Sequence, residues 1–168
     1  DIHPATFSKE EKIYRPLVDL MGHEQLGGKT VLYLLDGLFS GKHPIDAVPR
    51  KWNSPPFNGS WTSSLLASQD PVAIDSVGFD FLRAEYEDFP RQPGVDDYLH
   101  QLADPAQWPQ GIVYDPEGDG TPLTSMGAHE HWNNPDSMQY SRNLGTGNGI
   151  ELVRIESGAA TRTISGAS

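Results

Sequence analysis

Ser63-Ser64-Leu65-Leu66-Ala67-Ser68-Gln69-Asp70-Pro71-Val72-Ala73-Ile74-Asp75-Ser76-Val77-Gly78-Phe79-Asp80-Phe81-Leu82 is the stretch from which the fold is read. A short apolar run, the mark of a buried strand, gives way to Asp70, whose carboxylate suits a helix N-cap. Pro71 stands at the first helical position, where its missing N–H costs nothing. The spacing predicts a helix to about Tyr86, with Ile74, Val77, Gly78, Phe81 and Leu82 on one face. Asp75 falls in the apolar sector, between the directions of Leu82 and Phe79. A carboxylate there is either paired in the core or aimed into a cleft at the strand-to-helix junction.

Upstream, Ser8 and Glu11 have the spacing of a capping box, and Ile13, Leu17, Leu20 and Met21 follow at helical intervals. Pro16 interrupts them, which predicts a kink or two short pieces. Gly27-Gly28 ends that helix. Thr30-Val31-Leu32-Tyr33-Leu34-Leu35 reads as a strand buried on both faces. It runs into Asp36-Gly37 at its carboxyl end, where open α/β sheets place ligand groups. Residues 37–61 form a long loop that holds His43, Arg50, Lys51, Trp52 and Trp61; loops of this length are functional or disordered, and the aromatic content favours order. A short helix is expected over 95–103. Gly149 to Ile155 alternates apolar and polar residues, as a strand with one buried face does. The expected fold is therefore α/β (or α+β). A small mixed sheet from 30–36, 62–67 and 149–155 carries helices at about 8–22, 71–87 and 95–103, with long ordered loops. Residues 1–156 make one globular domain, and 157–168 a mobile tail.

The 168 residues contain no cysteine, which removes disulfides, thiolate metal sites and cysteine nucleophiles. A formal charge of −11 argues against nucleic acid and anionic membranes as partners and suits a cation or a neutral ligand. No apolar run has the length of a membrane span, so no membrane insertion is expected, and no secretory signal is seen; a cleaved one leaves no trace.

The motif Leu-Tyr-Leu-Leu-Asp-Gly at 32–37, followed by Ser-Gln-Asp-Pro-Val-Ala-Ile-Asp-Ser-Val at 68–77, resembles the domain-of-unknown-function family numbered 362. The ending from His-Glu-His-Trp-Asn-Asn at 129–134 to Gly-Ile-Glu-Leu-Val at 149–153 is similar to its extracytoplasmic bacterial branch. The resemblance covers roughly residues 1 to 155 and implies the C-terminal part of a longer protein, an extracytoplasmic or secreted location, and a missing N-terminal region or partner chain. The cytoplasm stays open. It carries no reaction, and the iron–sulfur label of some relatives does not transfer to a chain without cysteine.

His129 and His131 form the strongest metal-like signal. Residues two apart in an extended segment point to one side, so both imidazoles can reach one divalent ion, with Asp36 or Asp75 completing a set of two histidines and one acid. Affinity for such an ion would fall as pH drops through about 6.5. The plain alternative is a pair of loop histidines bonded to backbone. Asp36 and Asp75 are also the candidates for general acid/base work. Asp115-x-Glu117-x-Asp119-Gly120 resembles the start of a calcium loop but has Met126 where the bidentate Glu belongs. Trp52, Trp61 and Trp132 lie in loops, either as an aromatic platform for a small-molecule or glycan ligand or as lids on the core. Two functions follow: a cation-binding domain of unknown reaction, part of a metal-dependent enzyme; or a non-catalytic extracellular binding or structural domain whose Trp-rich loops take a glycan or protein partner.

Overall fold

A computed structural model describes residues 8–42 and 46–156; the expected tail, residues 1–7 and His43 lie outside the described residues. Helices pack on a small sheet, as a mixed α/β chain should. The order is α1 (Pro16–Gly22), β1 (Tyr33–Gly37), β2 (Ser64–Ser68), α2 (Pro71–Glu85), α3 (Asp97–Ala103) and α4 (Ser141–Leu144), with a 3₁₀ turn after each of α1, α2 and α3.

Everything is arranged around α2. The Asp70 carboxylate accepts the N–H of Ala73 at 2.8 Å, and Pro71 opens the first turn. The second carboxylate oxygen of Asp70 accepts the N–H of Ala128 at 2.9 Å, so one side chain both caps the helix and holds a distant loop. A side chain at Gly127 would put its Cβ 1.9 Å from Asp70 Oδ1, which is why glycine stands there. The helix is covered nearly all round. Val72 and Phe79 join Val18, Leu99, Leu102 and Tyr114 in one apolar cluster; Val77 joins Tyr140 and Ile150 in another.

β1 and β2 pair antiparallel, with Leu35 opposite Leu66 and Asp36 opposite Leu65. Leu35 lies against α2, where a Cβ on Gly78 would come 2.7 Å from its Cδ1. The other face is bare: Leu34 is 61% and Leu65 64% exposed. The strand expected to be buried on both faces is thus covered on one only, because α2 is the only layer packed on this ribbon among the described residues.

Two further expectations are corrected. Residues 8–15 are not helical. Pro16 is the first residue of α1 rather than a kink within a longer helix, because a proline ring blocks helix on its amino side. Ser8 accepts from Glu10 in a local turn instead of closing a capping box. The segment wraps the buried Arg15 guanidinium, which donates to the carbonyls of Ser8, Glu10 and Gly94 and to the Asp97 carboxylate at 3.3 Å. The strand over 149–155 also fails to form. Ile150 is buried as its pattern requires, but the backbone polar groups are served by side chains. Ile150 N–H donates to Glu130, Leu152 N–H donates to Asn143 Oδ1, and the Leu152 carbonyl accepts from Asn143 Nδ2. Once these groups are satisfied, a ladder partner adds nothing.

The described part of the long loop is held by aromatics. Trp52 meets Phe57 and Tyr86, Phe57 meets Phe81, and Phe81 meets Trp132, with ring centroids 5.2–6.0 Å apart. Glu85 accepts from the N–H groups of Asn53 and Ser54, tying the loop to the last turn of α2.

Candidate functional site

The segment 128–132 runs extended along α2, and its histidines meet α2 one turn apart. Alternate residues of an extended chain rise by about 6.6 Å, close to the rise of about 6 Å between positions i and i+4 of a helix. His129 therefore reaches Ser76 while His131 reaches Asp80. His129 Nδ1 lies 2.8 Å from Ser76 Oγ. The Ser76 hydroxyl proton is already given to the Val72 carbonyl at 2.7 Å, so the proton between them belongs to His129 Nδ1. That fixes the tautomer and leaves Nε2 with a bare lone pair. Nε2 is buried and has no hydrogen-bond partner among the described residues.

His131 is in the opposite condition. Its Nδ1 donates to Asp80 at 2.7 Å, and its Nε2 lies 3.4 Å from Asp96 Oδ2. Arg83 Nη1 also lies 3.1 Å from that nitrogen. An Nε2–H cannot accept from Arg83, so the two contacts compete. We assign the proton to Nε2, facing Asp96, because two carboxylates then meet two cations, His131 and Arg83, the latter 3.6 Å from Asp96. Asp80 is 5% exposed and accepts twice more, from Trp132 N–H and the Tyr140 hydroxyl, both at 3.0 Å.

The two imidazoles are pushed apart in basicity. The bonds from Asp80 and then Asp96 raise His131 to about 9. Burial, helped by the charges of His100 and His131, pushes His129 down to about 4. For Asp96, burial acts upward, but the bond from His131 and the nearby imidazoles outweigh it and leave its carboxyl below the usual range. His100, exposed on α3, stands edge to face with His129, centroids 4.3 Å apart; His129 and His131 are 5.1 Å apart in the same manner. No family model, no curated protein and no solved structure matches the chain.

The structure brings His129 and His131 together and separates both from Asp36. That carboxylate sits on the bare face of the β1–β2 ribbon and accepts from its own Leu38 N–H at 2.9 Å. The expected set of His129, His131 and Asp36 is thereby corrected: strand alternation turns Asp36 away from α2. Among the described residues, no three histidines or carboxylates already stand close enough to hold an ion between them. Asp75, on the exposed side of α2, takes the second of its two expected placements, a cleft rather than the core. It lines a cleft of about 470 Å³ and accepts a hydrogen bond from the Tyr98 hydroxyl. Crowding by the cleft walls raises its carboxyl, and the Tyr98 bond opposes that rise. A group in a concave wall is both reachable by water and partly desolvated, so exposure and a raised pKa coexist here.

The tryptophans do not form one platform. Trp52 is 8% exposed and donates from Nε1 to Tyr86, and Trp132 leans on Phe81. Trp61 stands apart against Phe39, with Lys51 over its ring. The acidic turn is occupied by its own backbone. Asp115 accepts from the N–H groups of Asp119 and Gly120, and Asp119 from that of Thr121; Glu117 reaches Glu24 N–H and His23.

Sequence reasoning missed Ser76, Asp80, Asp96 and His100. One signal was legible: Ser76 and Asp80 are four apart on α2, a spacing that matches His-x-His.

Proposed function

We propose that this domain binds a divalent transition-metal ion at His129. His100, edge to face with His129, and Asp96, beside His131, do not yet stand close enough to hold an ion and would close on it as a second nitrogen and a carboxylate, in a set of two histidines and one acid. The observation that carries the reading is the buried, unpartnered lone pair of His129 Nε2. Its ring is held in the ligand tautomer by Ser76, the kind of outer support that metal-binding imidazoles have. Burial also keeps this ring neutral well below pH 6.5, so its competence as a ligand extends to more acid conditions than an ordinary histidine's. His131 stays outside the set, since Asp80 and Asp96 engage both of its nitrogens. The reading stops at binding; a reaction is not part of it.

Calorimetry with zinc, copper and nickel on the metal-stripped protein tests this. Wild type and His131→Gln should bind one equivalent, and His129→Ala and His100→Ala should not. No binding by wild type, or equal binding by His129→Ala, overturns the reading.

A second reading, a non-catalytic extracellular module with a glycan or protein partner, is favoured only by Trp61 and Phe39, 37% and 67% exposed side by side. Kinship with family 362, and with it a bacterial, extracytoplasmic origin, is a proposal resting on residues 32–37, 68–77 and 129–153. Among the described residues no helix is long and apolar enough to cross a membrane.

A further inference from the structure

We propose that the cleft over Asp75 binds a small amphiphile, an apolar body ending in a protonated amine that pairs with the Asp75 carboxylate. The cleft is a separate feature from the histidine cluster. Its volume of about 470 Å³ falls in the range of small-molecule sites, roughly 300–1,000 Å³. Leu17, Leu20 and Met21 of α1, Leu26 beyond it, and Leu102 of α3 form its walls. Leu20 and Leu26 are 41% and 52% exposed, so apolar surface is left open to water where a ligand's body would cover it.

The polar groups of the cleft select the other end of the ligand. Asp75 is the one carboxylate among the lining residues. Tyr98 donates to its Oδ2, which fixes the carboxylate's orientation, while Oδ1 has no partner among the described residues. A carboxylate oxygen only accepts, and it binds a charged donor more strongly than a neutral one. The cation of the cleft, Lys29, is turned to Gln25, whose side-chain oxygen it meets. The formal charge of −11 draws cations toward the domain as a whole. A metal ion fits poorly here, because the apolar walls provide no further ligands. An amine needs a single anion and gains from those same walls.

The test is a nitrogen–proton NMR titration with hexylamine, hexan-1-ol and hexanoate, which share a chain and differ in the head. Hexylamine should shift the amides of Asp75, Tyr98 and Leu102 and bind about tenfold more tightly than hexanol, the margin of a charged over a neutral donor at one carboxylate. Asp75→Asn, nearly the same size, should reduce the amine to the affinity of the alcohol and leave the alcohol unchanged. Tyr98→Phe should keep the amine preference. Equal binding of amine and alcohol by wild type overturns the proposal. So does hexanoate binding most tightly, which would make Lys29 the anchor, an amine preference that survives Asp75→Asn, or no shift with any of the three.

Discussion

Asp80 and Asp75 stand five residues apart on one helix and live in different worlds. Asp80 is 5% exposed, and His131, Trp132 and Tyr140 all donate to it. Asp75 is exposed in an apolar cleft, with Tyr98 on one oxygen only. The same contrast divides the histidines: His131 has both nitrogens engaged by carboxylates, and His129 has one nitrogen held and one bare. A polar group whose bonds are complete belongs to the architecture. One left incomplete in a crowded place is where a ligand has something to gain.

Breaking the complete side should cost most. Asp80→Ala leaves a half-buried cation, a buried hydroxyl and a backbone N–H without their acceptor, and about 3 kcal/mol of stability should go. Urea denaturation measures it, and an unchanged midpoint would place Asp80 outside the architecture. Asp70→Ala comes next. It removes a helix cap and the bond to Ala128, about 1 kcal/mol each, so about 2 kcal/mol by the same measurement.

The histidines should tilt the pH–stability curve in opposite directions. His131 is raised to about 9 when folded. Its contribution is therefore complete below the unfolded value of about 6.5 and is lost as pH rises through 9. His129 is lowered to about 4, so the unfolded chain takes up a proton first, and stability is lost as pH falls from about 6.5 toward 4. Denaturation midpoints across pH should lose the alkaline limb in His131→Gln and the acid limb in His129→Ala. Solvent access to His131 keeps its limb shallow. The smallest effect belongs to Asp75→Asn, within about 0.5 kcal/mol of wild type, since little structure depends on it.

How much of this the sequence contained depends on the range of the interaction. The α2 helix and its Asp70 cap were legible because a strand, an N-cap and a proline follow one another within ten residues. The fold class followed from the same unit. The missing third strand was not legible: the alternation at 149–155 predicts burial of Ile150 correctly, but whether a ladder or side chains serve the backbone depends on Glu130 and Asn143, near in space and apart in the chain. Asp36 was placed at a strand end correctly and in the wrong company, because alternation alone does not say which face of a ribbon is covered. His-x-His reads by itself as a metal pair, whereas its match to Ser76 and Asp80 needs the helix and the segment 128–132 laid side by side. His100 came from a third element altogether.

Proton-detected nitrogen NMR of the imidazole rings between pH 4 and 10 tests the central contrast most directly. His131 should carry a proton on both nitrogens at pH 7 and titrate near 9, and His129 should be neutral, protonated on Nδ1 alone, until about pH 4. A neutral His131 at pH 7, or a His129 carrying its proton on Nε2, would contradict it.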